Sequence, residues 1–103
     1  MKQTQKINEL LDWYASLLTD KQVCVMNMYF KEDYSLAEIA ENLEISRAAV
    51  SDQIKRTNKL LEDYEEKLKL VEKYKNRKEI YDKMKHIENE ELIKLVESLE
   101  END

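Results

Sequence analysis

The amino-acid sequence predicts an all-α protein, and three observations predict it. Gly and Pro are both absent from the 103 residues, so the chain lacks the two residue types that most often interrupt a helix. Apolar residues recur at three- and four-residue spacing in successive stretches from Ile7 to Leu99, the period of a helix with one buried face. Thr19-Asp-Lys-Gln22 and Ser35-Leu-Ala-Glu38 both have the capping-box form, in which a hydroxyl and a Glu or Gln three residues later satisfy the orphan amides of a helix start.

The elements follow in order. Ile7, Leu10, Leu11, Tyr14, Leu17 and Leu18 form one stripe of a first helix over about Thr4–Leu18, with Trp13 beside it. The Thr19 cap opens a second helix to about Phe30. Lys31-Glu-Asp-Tyr34 then breaks the pattern, and Asp33 is the residue best suited to a left-handed backbone in a turn without glycine. The Ser35 cap opens a short third helix that turns Leu36, Ile39, Ala40 and Leu43 inward; Glu44-Ile45 is the tight turn after it, and Ser46 caps a fourth helix. Val50, Ile54, Leu61, Tyr64 and Leu68 share one face of that helix, which is expected to run from Arg47 to about Lys73. At about 1.5 Å per residue it would span roughly 40 Å, more than a three-helix core covers. A break is expected at Tyr74-Lys-Asn-Arg77, followed by a fifth stripe (Ile80, Tyr81, Met84, Ile87) and a sixth (Leu92, Leu95, Val96, Leu99). The domain division expected is thus residues 1–73, a helical core, and 74–103, a helical extension that folds back or pairs with a second copy.

Composition narrows the function classes. The chain has room for one modest core, and its 39% charged residues sum to a net charge of −6. That charge is uneven: residues 1–60 carry 8 basic and 9 acidic groups, residues 61–103 carry 9 and 14. An acidic tail repels polyanions, so a nucleic-acid contact must come from a local cationic patch on the first part. One cysteine, Cys24, and one histidine, His86, assemble neither a disulfide nor a soft-metal site, and a glycine-free chain has no phosphate-cradling loop. No cofactor and no catalysis are expected. Short apolar runs and the absence of a charged-then-apolar leader lead to the expectation of a cytoplasmic protein without membrane insertion.

The most informative segment is Ser35-Leu-Ala-Glu-Ile-Ala-Glu-Asn-Leu-Glu-Ile-Ser-Arg-Ala-Ala-Val-Ser-Asp-Gln-Ile54. It has helix-turn-helix spacing: small Ala40 where two helices cross, and Ile45, Val50 and Ile54 anchoring the second so that its other face projects toward a major groove. Leu18-Thr-Asp-Lys-Gln22 followed by Val25, Met28 and Phe30 resembles the start of region four in bacterial sigma factors of the extracytoplasmic-function type, over residues 17–61. With the leading helix, the long fourth helix and the Tyr/Lys/Glu-rich tail, nearly the full chain is similar to the YlxM family of small bacterial proteins. The fold expected is therefore an all-α, sigma region-four-like helix-turn-helix bundle with a long fourth helix and a helical C-terminal extension. The resemblance implies a regulatory protein encoded beside the signal recognition particle genes and acting as an accessory of that pathway.

Opposite its buried face, the fourth helix places Ala48, Asp52, Lys55 and Lys59 outward, with Arg47, Ser51 and Arg56 at the flanks. Arg47, Ser51, Lys55, Arg56 and Lys59 are the candidate nucleic-acid-binding residues. Ala48 and Ala49 cannot hydrogen-bond a base, and Asp52 opposes phosphates unless it pairs with Lys55 or Arg56. Two readings stand: a regulator contacting DNA or RNA through this helix, or an adaptor that binds signal recognition particle components through acidic faces and tail stripes. A homodimer through the tail is expected in either. The aromatic residues Trp13, Tyr14, Tyr29, Phe30 and Tyr34 could stack single-stranded bases, but their spacing is that of core stripes. His86 reads as solvated or packed, and Cys24, between Val23 and Val25, as a partly buried small hydrophobe.

Overall fold

In a computed structural model, residues 3–103 are described, and among them every regular element is helical. The helices are α1 (Thr4–Tyr14), α2 (Asp20–Phe30), α3 (Leu36–Leu43), α4 (Arg47–Leu68), α5 (Leu70–Lys85) and α6 (Glu90–Glu101), with a single 3₁₀ turn at Ala15–Leu17 after α1. They fall into two compact units, Met1–Leu68 and Lys69–Asp103, so the division lies five residues before the expected one at residue 73.

The first unit is organised around α4. Helices α1, α2 and α3 each pack on it, and Ile7, Leu10, Leu11, Tyr14, Val25, Met26, Ile39, Val50 and Leu61 supply most of the solvent-excluded core. Thr57, on the same face of α4, is also buried; its γ-methyl lets it sit between Ile54 and Leu61 in the stripe. Tyr14 is fully buried, donates its hydroxyl to Glu65 Oε1 at 2.5 Å, and has its ring 5.9 Å from that of Tyr64. This one side chain ties α1 to the far half of α4 across 51 positions of sequence.

The capping boxes form as the sequence predicts. Thr19 Oγ1 accepts from the Gln22 amide while the Gln22 side chain accepts from the Thr19 amide, and Ser35 and Glu38 repeat the arrangement. The first helix is shorter than expected. To deliver Thr19 as a cap the chain must already be extended at Leu18 (φ −97°, ψ 158°), so α1 tightens into the 3₁₀ turn. Leu18 stays buried, and Leu17 rotates out to 51% exposure.

Three non-glycine residues take the left-handed conformation: Asp33, Glu44 and Lys69. Asp33 is in the turn where it was expected. Glu44 ends α3 in a Schellman arrangement, with the Ile45 amide bonded to Ala40 O at 3.0 Å and the Glu44 amide to Glu41 O at 3.4 Å. Lys69 corrects the expectation for the fourth helix. α4 stops at Leu68, itself 45% exposed, and the chain turns at Lys69 (φ 54°, ψ 33°). The Tyr74–Arg77 stretch, where a break was expected, is continuous helix within α5, and the Arg77 guanidinium lies 5.9 Å from the Tyr74 ring centroid.

In the second unit α5 packs against α6. Asn89 caps α6 by accepting from the Leu92 amide, and the end of α6 is fastened to α5 by Lys85–Glu100 at 2.5 Å and Arg77–Asp103 at 3.3 Å. Only Val71 and Val96 are buried here, while Ile80, Ile87, Leu95 and Leu99 are each more than half exposed. No helix among the described residues is long and apolar enough to cross a membrane.

Candidate nucleic-acid interface

The site begins at the corner between α3 and α4. Glu44 can take its left-handed turn because the Schellman bonds absorb the last carbonyls of α3, and Ser46 then caps α4, its Oγ accepting from the Ala49 amide at 3.0 Å. Ala40 and Ile39 are buried on the α3 side and Val50 and Ile54 on the α4 side, while Ile45 at the corner is half-buried. With the inner face of α4 held this way, its outer face is committed to solvent.

On that outer face Arg47, Ala48, Asp52, Lys55, Arg56 and Lys59 are all exposed. Four of the five candidate residues are thus brought to one surface. Ser51 is not: it is half-buried and turned toward a groove alongside α4. Asp52 Oδ2 is 2.9 Å from Arg56 Nε, one helical turn on, so the acid at the centre of the face is neutralised by its neighbour. Arg47, Lys55 and Lys59 have no carboxylate partner among the described residues. Their cationic strip covers residues 47–59, roughly 18 Å of helix, and acids bound it on both sides: Glu41 and Glu44 before it, Glu62 and Glu66 after it, all exposed. Such a strip can neutralise three or four phosphates and no more.

The groove itself has no signal in the sequence. It holds about 510 Å³ and is lined by Ile7, Tyr29, Phe30 and Leu36 on one side and Ser51, Ile54 and Asn58 on the other. Tyr29 and Phe30 meet edge-to-face there, ring centroids 4.9 Å apart. It brings together residues from four separate segments, which no local pattern could reveal. Phe30 and Tyr14 are buried and Trp13, Tyr29 and Tyr34 half-buried, so the aromatic residues serve packing and form no open stacking surface.

The two reactive-looking residues have ordinary surroundings. His86 is exposed with Nδ1 2.6 Å from the Asp82 carbonyl oxygen, one turn back, a contact that suits the Nδ1–H tautomer. Cys24 is exposed, contrary to the expected partial burial: α2 presents Val25 and Met26 inward, which leaves position 24 on the outer side. Among the described residues no group of three or more His, Cys, Asp or Glu side chains could hold a metal ion.

Comparison with known proteins agrees with this architecture. Residues 1–100 match the model of the UPF0122 family, described as "Putative helix-turn-helix protein, YlxM / p13 like". This chain belongs to that family. Among its relatives, the UPF0122 protein YlxM of Bacillus subtilis is 48% identical over 108 residues, covering 100% of this chain and 98% of the relative. A UPF0122 protein of Anoxybacillus flavithermus is 49% identical and one of Halalkalibacterium halodurans 47%, each covering 97% of this chain and 96% of its own length. The YlxM resemblance carried by the capping boxes and the helix-turn-helix segment is therefore a family relationship across the whole chain, and the UPF0122 description is of a helix-turn-helix protein, not of an enzyme.

Proposed function

We propose that this UPF0122 chain is a non-catalytic regulatory protein that engages duplex DNA through the first half of α4, in the service of the signal recognition particle pathway. One observation carries the DNA contact: Arg47, Lys55 and Lys59 stand without carboxylate partners among the described residues on a face that the α3–α4 corner forces outward. A helix of this kind enters the roughly 12 Å wide major groove of B-form DNA, whereas the deep, narrow major groove of A-form RNA excludes it. Ala48 at the tip and the Asp52–Arg56 pair at the centre offer few groups for base edges, so the contact is dominated by phosphates and weakly selective. The link to the signal recognition particle rests on the YlxM resemblance alone.

The test is a salt-titrated binding measurement on mixed-sequence DNA and RNA duplexes. Three free cations imply a log–log slope of about −2.7 and a loss of about 40-fold in DNA affinity between 50 and 200 mM salt. Lys55→Ala with Lys59→Ala should reduce the slope to about −0.9. A slope that stays where it was removes α4 from the interface, and equal affinity for the RNA duplex removes the groove-reading geometry.

A second reading is favoured by the carboxylates Glu41 and Glu44 beside the strip and by Ala48 within it: the same corner would dock on a basic protein surface of the particle or its receptor. It is distinguished by the response to Glu41→Lys, which should abolish binding to such a protein and strengthen binding to DNA.

A further inference from the structure

The unit Lys69–Asp103 cannot satisfy its own apolar surface. Two packed helices bury only Val71 and Val96, and they leave Ile80 at 51%, Ile87 at 55%, Leu95 at 59% and Leu99 at 51% exposure in the whole chain. Pieces of this size without disulfides or metals ordinarily need a partner to complete a core. The exposed residues are arranged in stripes. On α6, Glu91, Leu95 and Leu99 follow one another at four-residue spacing; along α5 and just past its end, Ile80, Lys83 and Ile87 follow at three and four.

The two helices also carry opposite charge. α5 has six cations against three carboxylates, net +3, and α6 has one cation against five carboxylates, net −4. Within the chain, two pairs join the helices or the residues just beyond them, Lys85–Glu100 and Arg77–Asp103. Lys78 and Lys83 on α5 and Glu91 on α6 have no ion-pair partner among the described residues.

From these two features we infer that Lys69–Asp103 is a dimerisation module, in which the acidic, leucine-bearing stripe of α6 in one copy packs on the basic, isoleucine-bearing stripe of α5 in a second copy, and the reverse. A two-fold axis makes this pairing self-consistent, because every α5–α6 contact between the copies occurs twice. The partner is a second copy because one chain presents both halves of the complementary surface: an apolar stripe flanked by lysine and another flanked by glutamate. The inference does not depend on what α4 binds.

Sedimentation velocity on the full-length chain tests it. The wild type should sediment as a dimer of the 12.4 kDa chain at micromolar concentration, and Leu95→Gln with Leu99→Gln should raise the dissociation constant at least about tenfold. Both leucines are half exposed, so far-UV circular dichroism should show unchanged helicity. A second measurement is independent of that variant: Lys83→Glu and Glu91→Lys chains, each weakened alone, should form mixed dimers on combination in preference to either homodimer. A wild type that is monomeric at about 100 μM or assembles beyond a dimer, a dimer indifferent to the leucine substitutions, or statistical mixing of the charge variants would overturn the inference.

Discussion

Replacing Asp52 by asparagine should strengthen binding to duplex DNA, a gain of function that follows from the geometry of the proposed interface. Asp52 does two things on the outer face of α4: it adds one negative charge at the centre of the strip, and it holds Arg56 Nε at 2.9 Å. The pair is largely exposed, at 56% and 80%, so its own worth is small, about 0.3–0.5 kcal/mol as an i,i+4 pair. For a phosphate about 7 Å away the repulsion from Asp52 is roughly 0.6 kcal/mol in water, reduced to about 0.3 by salt at 0.1 M, and more than one phosphate lies within reach. Freeing Arg56 adds one further phosphate contact, so the slope of log affinity against log salt should steepen from about −2.7 to about −3.6. The two contributions together correspond to about 1 kcal/mol, or roughly fivefold tighter binding near 0.1 M salt. Fluorescence anisotropy with a mixed-sequence duplex of about 20 base pairs measures both quantities. Unchanged or weaker affinity, with a slope that stays put, would mean that Asp52 does not face phosphates and that this face of α4 is not the contact surface.

The remaining expectations concern the scaffold. Tyr14→Phe removes the hydroxyl that Glu65 accepts at 2.5 Å while keeping the ring, and the loss of a hydrogen bond to a half-buried carboxylate should cost about 1–2 kcal/mol in urea unfolding; a midpoint that does not move would show that the bond adds nothing to holding α1 on α4. The Tyr81 phenol is held above the ordinary tyrosine range, first by partial loss of water and then by its hydrogen bond to Asp103 and that carboxylate's charge, with Arg77 opposing. Its contribution to stability is complete below the ordinary tyrosine value and lost as pH rises through the elevated one, because the unfolded chain ionises first. Asp103→Asn should therefore lower the Tyr81 midpoint, read at 295 nm as the difference from Tyr81→Phe, and an unmoved midpoint would rule out Asp103 as a cause.

The sequence by itself determined whatever depends on neighbours within a few residues. Helix starts at Thr19, Ser35 and Ser46 were legible because a cap is a bond between residues three apart. The buried faces of α1, α3 and the first half of α4 were legible because periodicity selects one side of a helix before any partner is named. The outward placement of Arg47, Lys55, Arg56 and Lys59 follows from the same geometry. Only the tertiary structure decided where helices stop without a marker and which surfaces stay uncovered. Leu17 and Leu68 have the spacing of core residues yet are exposed, one because the chain had to extend at Leu18 and the other because α4 outruns its packing partners. The turn at Lys69 carries no glycine, proline or asparagine to announce it. The groove beside α4 collects Ile7, Tyr29, Leu36 and Asn58 from distant positions, and the unmet stripes of α5 and α6 emerge only once each helix has used one face. Burial is a property of what lies opposite a residue, and in this chain what lies opposite is far away in sequence.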